Sequence, residues 1–216
     1  MKLNYNYLQQ EFANPNEIIK EWKRLIKSTD FTLGKYVTKF ENSFSNFIGS
    51  KYCISTNNGT DALTLCLKAL NVGPGDEVIT VVNTFYATVG AIEAVGAIPV
   101  FCDCDERYQI DIDDIKKKIT TKTKVIMPVH WGGASPNMYE IMKIAKSNKL
   151  KVVEDACMGI GASLRGKSPG TFGDISAFSF HPLKSLNVIG DGGAVVTNNK
   201  KIYDWLLKYR NHGMIN

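Results

Sequence analysis

The sequence lacks any apolar run long enough to cross a membrane. A membrane-spanning helix needs about 20 consecutive apolar residues, and no stretch of the 216 residues approaches that length. The chain opens with MKLNYNYLQQEF, which has no apolar core of the kind found in a secretory signal peptide. We therefore expect a protein that has no membrane partner.

Paired cysteines are also missing. The five cysteines are an odd number, with no C-x-x-C spacing and no histidine nearby at the spacing of a metal site. They are Cys53, Cys66, Cys102, Cys104 and Cys157. Because tetrahedral zinc sites need paired ligands, we expect no metal. Reduced thiols are typical of the cytosol, which predicts a cytoplasmic protein.

Arginine is scarce, with only four residues in the chain. The net charge of +5 comes mainly from scattered lysines, and the densest run, from Lys116 to Lys124, surrounds a predicted helix end. Nucleic-acid-binding surfaces combine clustered basic residues with aromatic side chains, but the few arginines here are not interleaved with aromatics and the lysine run is expected to be a solvated face. We expect no nucleic-acid partner.

Strand-like and helix-like segments alternate along most of the chain. YCIST, EVITV, AIPVFCD, TKVIMPVH, LKVVEDA, ISAFSF and GGAVVT have the length and composition of strands, and helical patterns separate most of them. One predicted helix, KYVTKFENSFSNFIG, has Phe40, Phe44 and Phe47 on one face. With 44% hydrophobic residues, the pattern predicts an α/β fold with a largely parallel sheet. Ligands of such sheets lie beyond the carboxyl ends of the strands.

The segment GASLRGKS, from Gly161 to Ser168, matches the phosphate-loop pattern G-x-x-x-x-G-K-[ST]. A phosphate loop works only between a strand and a helix whose first amides face the phosphates. Here the preceding strand ends near Glu154, and the lysine and serine run into PGTFG, which cannot open a helix. We therefore disfavour a phosphate-loop nucleotide hydrolase.

Three other features fall at predicted strand ends, and each has a structural alternative. Gly59 and Thr60 open a helix whose free amides make an anion site, although an ordinary capped helix has the same pattern. Asp155 ends a buried strand, where an acid either caps the next turn or faces a protonated ring nitrogen. Lys184 follows ISAFSF in an apolar run. It is either an exposed loop amine or a nucleophile toward a carbonyl.

An anion site, a carboxylate for a pyridinium and an amine for an aldehyde are together what pyridoxal phosphate requires. The chain also resembles the DegT/DnrJ/EryC1/StrS family of sugar aminotransferases from about Gly34 through Gly213. The resemblance is carried by NNGTDAL, PGDEVI, NTFYAT, PVHWGG, VVEDAC, GTFGDISAFSFHPLKSLNVIGDGGAVVT and RNHG. It implies the type I aminotransferase fold, with a three-layer α/β/α large domain around a mostly parallel mixed sheet.

The resemblance implies a role for each site residue. Lys184 would form a Schiff base with pyridoxal phosphate, and Asp155 would pair with the pyridine nitrogen. Ser179 would join Gly59 and Thr60 at the phosphate. Phe85 falls where the family stacks an aromatic ring on the cofactor. A Schiff base needs a neutral amine, and apolar surroundings favour the neutral form of a lysine.

One residue departs from the family pattern. Three residues past the aspartate the family usually has glutamine, histidine or glutamate beside the cofactor, and here that place is Met158. A thioether is a poor hydrogen-bond partner. We expect Met158 to line the cofactor site and to change the polar surroundings that tune the cofactor.

The resemblance also implies the reaction and the domain organisation. It predicts transfer of an amino group from an amino acid, with glutamate expected, to a nucleotide-linked keto sugar in amino-sugar and polysaccharide biosynthesis. Family chains continue past RNHG, so we expect residues 1–216 to be the large domain of a homodimeric enzyme, without its C-terminal small domain. Members that make cyclitols or aminobenzoates keep the lysine and remain alternatives, as does a catalytically incompetent fragment. Sugar dehydratases of the family have histidine in place of Lys184.

Overall fold

A seven-stranded sheet organises the computed structural model, which describes residues 4–214. The strand order is β1-β7-β6-β5-β4-β2-β3. The strands are β1 (Tyr52–Thr56), β2 (Glu77–Val81), β3 (Ile98–Cys102), β4 (Thr123–Met127), β5 (Lys151–Asp155), β6 (Ile175–Ser179) and β7 (Gly193–Thr197). Strand β7 is antiparallel to both β1 and β6, and the other pairs are parallel. The prediction of a mostly parallel mixed sheet is confirmed.

Helices connect most of the strands, as the alternating pattern predicted. They are α1 (Leu8–Glu11), α2 (Asn16–Ser28), α3 (Lys35–Ile48), α4 (Gly59–Ala69), α5 (Tyr86–Ala94), α6 (Ile112–Lys118), α7 (Met138–Ser147) and α8 (Lys200–Arg210), with a 3₁₀ turn at Trp131–Gly133. Asn58 caps α4 with its side chain, which accepts a hydrogen bond from the Asp61 amide at 2.7 Å. This cap fixes where α4 begins.

Both faces of the sheet are covered, because alternate residues along each strand point to opposite sides. On one face, residues such as Ile54 and Val195 pack with buried residues of α4, α5 and α8. On the other face, α3 packs over β1, β6 and β7, and α6 and α7 pack over the remaining strands. The result is the predicted three-layer α/β/α arrangement.

The three phenylalanines that share one side of α3 differ in burial. Phe44 is buried and stacks on Phe40, with ring centroids 5.6 Å apart. Phe47, by contrast, is 64% exposed, and Ile48 takes the next buried position. Positions 41, 44, 45 and 48 face the sheet, and at about 100° per residue position 47 lies outside this buried stripe.

The apparent phosphate loop is an irregular turn. Leu164 and Lys167 form an isolated antiparallel bridge, and Gly161, Arg165 and Gly166 have positive φ angles. In this fully described part of the chain, no helix begins between Ser168 and the start of β6. The amides that a phosphate loop needs are therefore not presented by a helix.

Among residues 4–214, no helix has both the length and the apolarity needed to cross a membrane.

Candidate active site

A cleft of about 510 Å³ opens at the carboxyl edge of the sheet. Strands β5 and β6, the start of α4 and the start of α5 all contribute to it. The cleft brings together every site residue predicted from the sequence: Gly59, Thr60, Phe85, Asp155, Met158, Ser179 and Lys184. The arrangement follows from topology, because the carboxyl ends of parallel strands meet at one edge.

Asp155 is buried at the end of β5, with 5% of its surface exposed. Its Oδ2 accepts a hydrogen bond from Thr88 Oγ1 at 2.7 Å, and its Oδ1 accepts one from the Cys157 amide at 3.2 Å. Within residues 4–214 the carboxylate forms no ion pair. Burying a charge without a counter-charge is unfavourable, so the site suits a cationic group in the cleft.

The first turn of α4 provides a place for an anion. The side chain of Asn58 accepts a hydrogen bond from the Asp61 amide, and its carbonyl oxygen accepts one from the Ala62 amide. The amides of Gly59 and Thr60 have no hydrogen-bond acceptor within the described residues. Two free amides at a helix N-terminus bind anions, and the helix dipole adds to the attraction.

Ser179 lies directly against the start of α4. A Cβ added to Gly59 would meet Ser179 Cβ at 2.7 Å and Cys157 Sγ at 3.1 Å. Only glycine lets the helix approach β6 this closely. The Ser179 hydroxyl therefore lies beside the amide pair, as an anion site of three donors requires.

Lys184 lies in a tight turn that follows β6. Its amide donates a hydrogen bond to the His181 carbonyl at 2.8 Å, and the Leu183 amide donates one to His181 Nδ1 at 3.2 Å. The lysine is half-buried, and Leu183 is 47% exposed. The expected enclosure by apolar neighbours is therefore incomplete in the described chain. Leucines of this run point partly to solvent, because the turn has no regular element to pack them inward.

Phe85 forms another wall of the cleft. It precedes α5, is 52% exposed, and packs against Tyr86 with ring centroids 4.0 Å apart. Met158 also lines the cleft and is half-buried. A large exposed aromatic ring on a cleft wall is available to stack on a flat ligand.

Glu154, the neighbour of Asp155, points to the opposite face of the sheet. Its carboxylate is fully buried and contacts His130 Nε2 at 2.9 Å. It also accepts hydrogen bonds from the amides of Gly170, Phe172 and Gly173. Burial alone opposes ionisation, but the hydrogen bonds from His130 and the backbone amides outweigh it and lower the pKa of Glu154.

Two cysteines near Asp155 are held as thiols. Burial raises the pKa of Cys66 and of Cys157 well above the ordinary value, and the negative charge of Asp155 raises both further. A thiolate is the reactive form of cysteine. Neither thiol is therefore prepared for nucleophilic chemistry.

Several residues of the cleft were not singled out from the sequence. They are Tyr5, Asn58, Thr84, Thr88, Trp131, His181 and Asp191. Asn58 could have been found as the N-cap before Gly59. Thr84 and Thr88 lie on either side of the residue that caps α5, and their hydroxyls contact each other, but nothing local in the sequence shows that Thr88 faces Asp155.

The fold and the cleft define an α/β protein that presents a buried carboxylate, an amine and an anion site to one ligand. The model of the DegT/DnrJ/EryC1/StrS aminotransferase family matches residues 13–216. The chain belongs to this family, which confirms the resemblance derived from its motifs.

Named relatives support the assignment. The chain is 46% identical over 182 residues to GDP-perosamine synthase from Escherichia coli O157:H7, which covers 84% of the chain and 50% of that protein. Among solved structures, DesV from S. venezuelae, in complex with a ketimine intermediate, is 34% identical with a TM-score of 0.95, covering 100% of this chain and 58% of that one. NtdA from Bacillus subtilis, with bound cofactor PMP, is 35% identical with a TM-score of 0.89, and the match covers 100% of this chain and 51% of that one. These similarities confirm the type I aminotransferase fold.

The chain spans about half the length of the curated relatives that it matches.

Proposed function

We propose that the protein containing this chain is a pyridoxal-phosphate-dependent aminotransferase. In this proposal it transfers an amino group from an amino acid, glutamate in the first instance, to a keto sugar attached to a nucleotide. The observation that carries the proposal is the meeting of Asp155, Lys184 and the first turn of α4 in one cleft. Membership of an aminotransferase family supports it independently.

The donors and acceptors of the cleft match the groups of pyridoxal phosphate. The unpaired buried carboxylate of Asp155 suits a protonated pyridine nitrogen. The free amides of Gly59 and Thr60, with the Ser179 hydroxyl, suit a phosphate. Lys184 provides the amine, and Phe85 provides a flat apolar wall. A cleft of about 510 Å³ lies within the usual range for small-molecule sites.

When bound, pyridoxal phosphate joins an amino group covalently and withdraws electrons from the attached carbon. Asp155 would keep the proton on the ring nitrogen, which sustains that withdrawal. Nζ of Lys184 would take a proton from the substrate α-carbon and return it later, as a general base and acid. Phe85 and Met158 would orient the ring and exclude water from one side.

The name of a relative guides the choice of acceptor. GDP-perosamine synthase is named for a nucleotide-linked amino sugar. We infer that the product class here is nucleotide-linked amino sugars, used for polysaccharides or glycosylated metabolites.

We further propose that residues 1–216 form the cofactor-binding large domain of a longer enzyme, although residues 1–3 and 215–216 lie outside the described part. The chain spans about half of its matched relatives, and family members continue past the RNHG segment. We propose that the whole protein is a cytoplasmic homodimer.

The proposal is tested with protein expressed from the complete coding sequence, beside the 216-residue chain. Each is supplied with pyridoxal phosphate, glutamate and a GDP- or dTDP-linked 4-keto sugar, and the amino sugar is measured by mass spectrometry. We expect product from the complete protein and none from the short chain or from Lys184→Ala. A complete protein that aminates only a cyclitol or aminobenzoate precursor would contradict the nucleotide-sugar proposal.

A further inference from the structure

Two threonine hydroxyl groups form successive hydrogen bonds that end at the carboxylate of Asp155. Thr88 Oγ1 lies 2.7 Å from Asp155 Oδ2, and Thr84 Oγ1 lies 2.6 Å from Thr88 Oγ1. Thr88 is fully buried, whereas Thr84 is half-buried and lines the cleft. Neither threonine takes part in the proposed proton transfers.

The direction of these hydrogen bonds follows from the carboxylate of Asp155 at which they end. An ionised carboxylate can only accept hydrogen bonds, so the single hydroxyl proton of Thr88 is committed to Asp155. The oxygen of Thr88 is then free to accept, and the proton between the two hydroxyls comes from Thr84. Successive hydrogen bonds of this kind polarise and strengthen one another in a buried setting.

The two oxygens of Asp155 are held from different elements. Thr88 in α5 holds Oδ2, and the Cys157 amide, which follows β5, holds Oδ1. The terminal torsion of an aspartate is otherwise broad, because it joins an sp³ carbon to an sp² carbon. With both oxygens engaged, the plane of the carboxylate is fixed relative to the cleft.

The segment that leads into α5 also carries the aromatic wall. Phe85 lies between Thr84 and Thr88, and the Thr88 amide donates a hydrogen bond to the Phe85 carbonyl at 3.0 Å. One turn at the start of α5 therefore fixes both the exposed aromatic ring and the plane of the buried carboxylate.

We propose that Thr88, supported by Thr84, is a positioning residue that orients the Asp155 carboxylate toward the ring nitrogen of the cofactor. The inference rests on the proposed function, since it assumes that pyridoxal phosphate binds in this cleft. Thr88 does not touch the reacting atoms. It acts by setting the direction and the negative charge of the group that does.

Thr80 provides a matched control. It is also a fully buried threonine, and its hydroxyl donates a hydrogen bond to the Met127 carbonyl at 2.9 Å within the sheet. Thr80→Val and Thr88→Val each remove one buried hydroxyl and keep the side-chain shape. Only the second change reaches Asp155.

The experiment compares wild type, Thr88→Val, Thr88→Ser and Thr80→Val in protein from the complete coding sequence. Three quantities are measured: the dissociation constant of pyridoxal phosphate, the ¹⁵N chemical shift of the ring nitrogen in bound labelled cofactor, and the unfolding midpoint of cofactor-free protein. For Thr88→Val we expect about tenfold weaker binding, because the Asp155 carboxylate loses one of its two restraints and no longer holds its direction toward the ring nitrogen. We also expect its nitrogen resonance to move toward the unprotonated position. Thr88→Ser should restore both values, and Thr80→Val should change only the unfolding midpoint.

Equal dissociation constants and nitrogen shifts for Thr88→Val and Thr80→Val would overturn the inference while leaving the proposed function intact. A wild-type protein that does not bind pyridoxal phosphate would overturn both. If Thr88→Val does not fold, Thr84→Val takes its place, with the same direction of nitrogen shift expected and an unchanged shift counting against the inference.

Discussion

His130 and Glu154 form a hydrogen-bonded pair in the fully buried interior, with Nε2 and Oε2 separated by 2.9 Å. The pair lies immediately behind the candidate active site, because the His130 amide also donates a hydrogen bond to the carbonyl of Asp155 at 2.9 Å. The Ser135 hydroxyl contacts the other ring nitrogen of His130 at 3.1 Å. The end of β5 is therefore anchored from the face opposite the cleft.

Replacing the buried carboxylate should destabilise the protein strongly. In Glu154→Gln, the NH₂ group would replace one carboxylate oxygen and would face a backbone amide in either orientation, because Gly173 donates to Oε1 and Gly170 donates to Oε2. Leaving a buried donor without its acceptor costs about 1–3 kcal/mol, and more where the lost acceptor was charged. We expect a loss of this size in the free energy of unfolding, measured by urea denaturation. Glu106→Gln, at an exposed glutamate, is the control and should change stability little; equal stabilities of the two variants would contradict the prediction.

The Glu154 carboxylate should also make the stability of the protein depend on pH in the acidic range. Folding lowers the pKa of Glu154 below its ordinary value of 4.5, so the unfolded chain binds a proton more readily than the folded protein. The stabilisation is therefore complete above about pH 5.5 and is lost as the pH falls through 4.5 toward the folded pKa. We expect unfolding midpoints measured from pH 6 down to about pH 3 to fall more steeply in wild type than in Glu154→Gln. Parallel pH profiles would contradict this prediction.

Lys184 should be the lysine that joins the cofactor. Incubation with pyridoxal phosphate and reduction with borohydride should leave a covalent adduct on Lys184, found by peptide mass spectrometry. Lys167→Ala is the control, because Lys167 is exposed and contacts the Phe172 ring instead. It should keep the adduct, whereas Lys184→Ala should lose it. An adduct on Lys167 would refute the assignment.

Asp155 should be needed for catalysis more than for holding the cofactor. Asparagine cannot keep the ring nitrogen protonated, and losing a charge-assisted hydrogen bond costs about 1.5–3 kcal/mol. We therefore expect Asp155→Asn to bind cofactor about tenfold more weakly, as Thr88→Val does, and, when saturated with cofactor, to slow single-turnover transamination about 10- to 150-fold. Asp191→Asn changes an exposed carboxylate of the same cleft, which accepts a bond from the Gly192 amide, and should be much less affected. A near-normal rate in Asp155→Asn would show that the aspartate is only a structural cap.

Much of the fold was predictable because strand composition and helical periodicity are local signals. Each of the seven predicted strands is present, and the site residues at their ends meet in one cleft. That convergence needs no long-range knowledge beyond the rule that parallel strands share a carboxyl edge. The roles of the residues depend on motif resemblance and stay predictions.

Long-range contacts were not predictable in the same way. Thr88 and Asp155 are 67 positions apart, and Glu154 contacts His130, which lies 24 positions before it. The partial exposure of Lys184 was missed for a related reason. An apolar run signals burial on average, but the leucines of an irregular turn pack inward only where another element covers them.

The start of α4 packs directly against β6 at Gly59. Gly59 is buried, and the Cβ of an alanine there would lie 2.7 Å from Ser179 Cβ, closer than carbon atoms pack. Ser179 is on a fully buried strand and cannot retreat, so Gly59→Ala should push the start of α4 away from β6. Overpacking of this kind costs about 1–3 kcal/mol of stability. It should also separate the α4 amides from the Ser179 hydroxyl, which together form the proposed phosphate site.

We therefore expect Gly59→Ala to bind pyridoxal phosphate about tenfold more weakly, as the loss of a hydrogen bond to a charged group implies. Pyridoxal, which lacks the phosphate, should lose less affinity, and equilibrium dialysis with both compounds measures the difference. Gly90→Ala is the matched control: Gly90 is an exposed residue of α5, and its added Cβ would meet no atom within 4 Å. Because alanine is the better helix former, Gly90→Ala should raise stability by about 0.5–1 kcal/mol and leave both affinities unchanged. An equal loss of affinity for the two compounds in Gly59→Ala would mean that this helix start does not hold the phosphate.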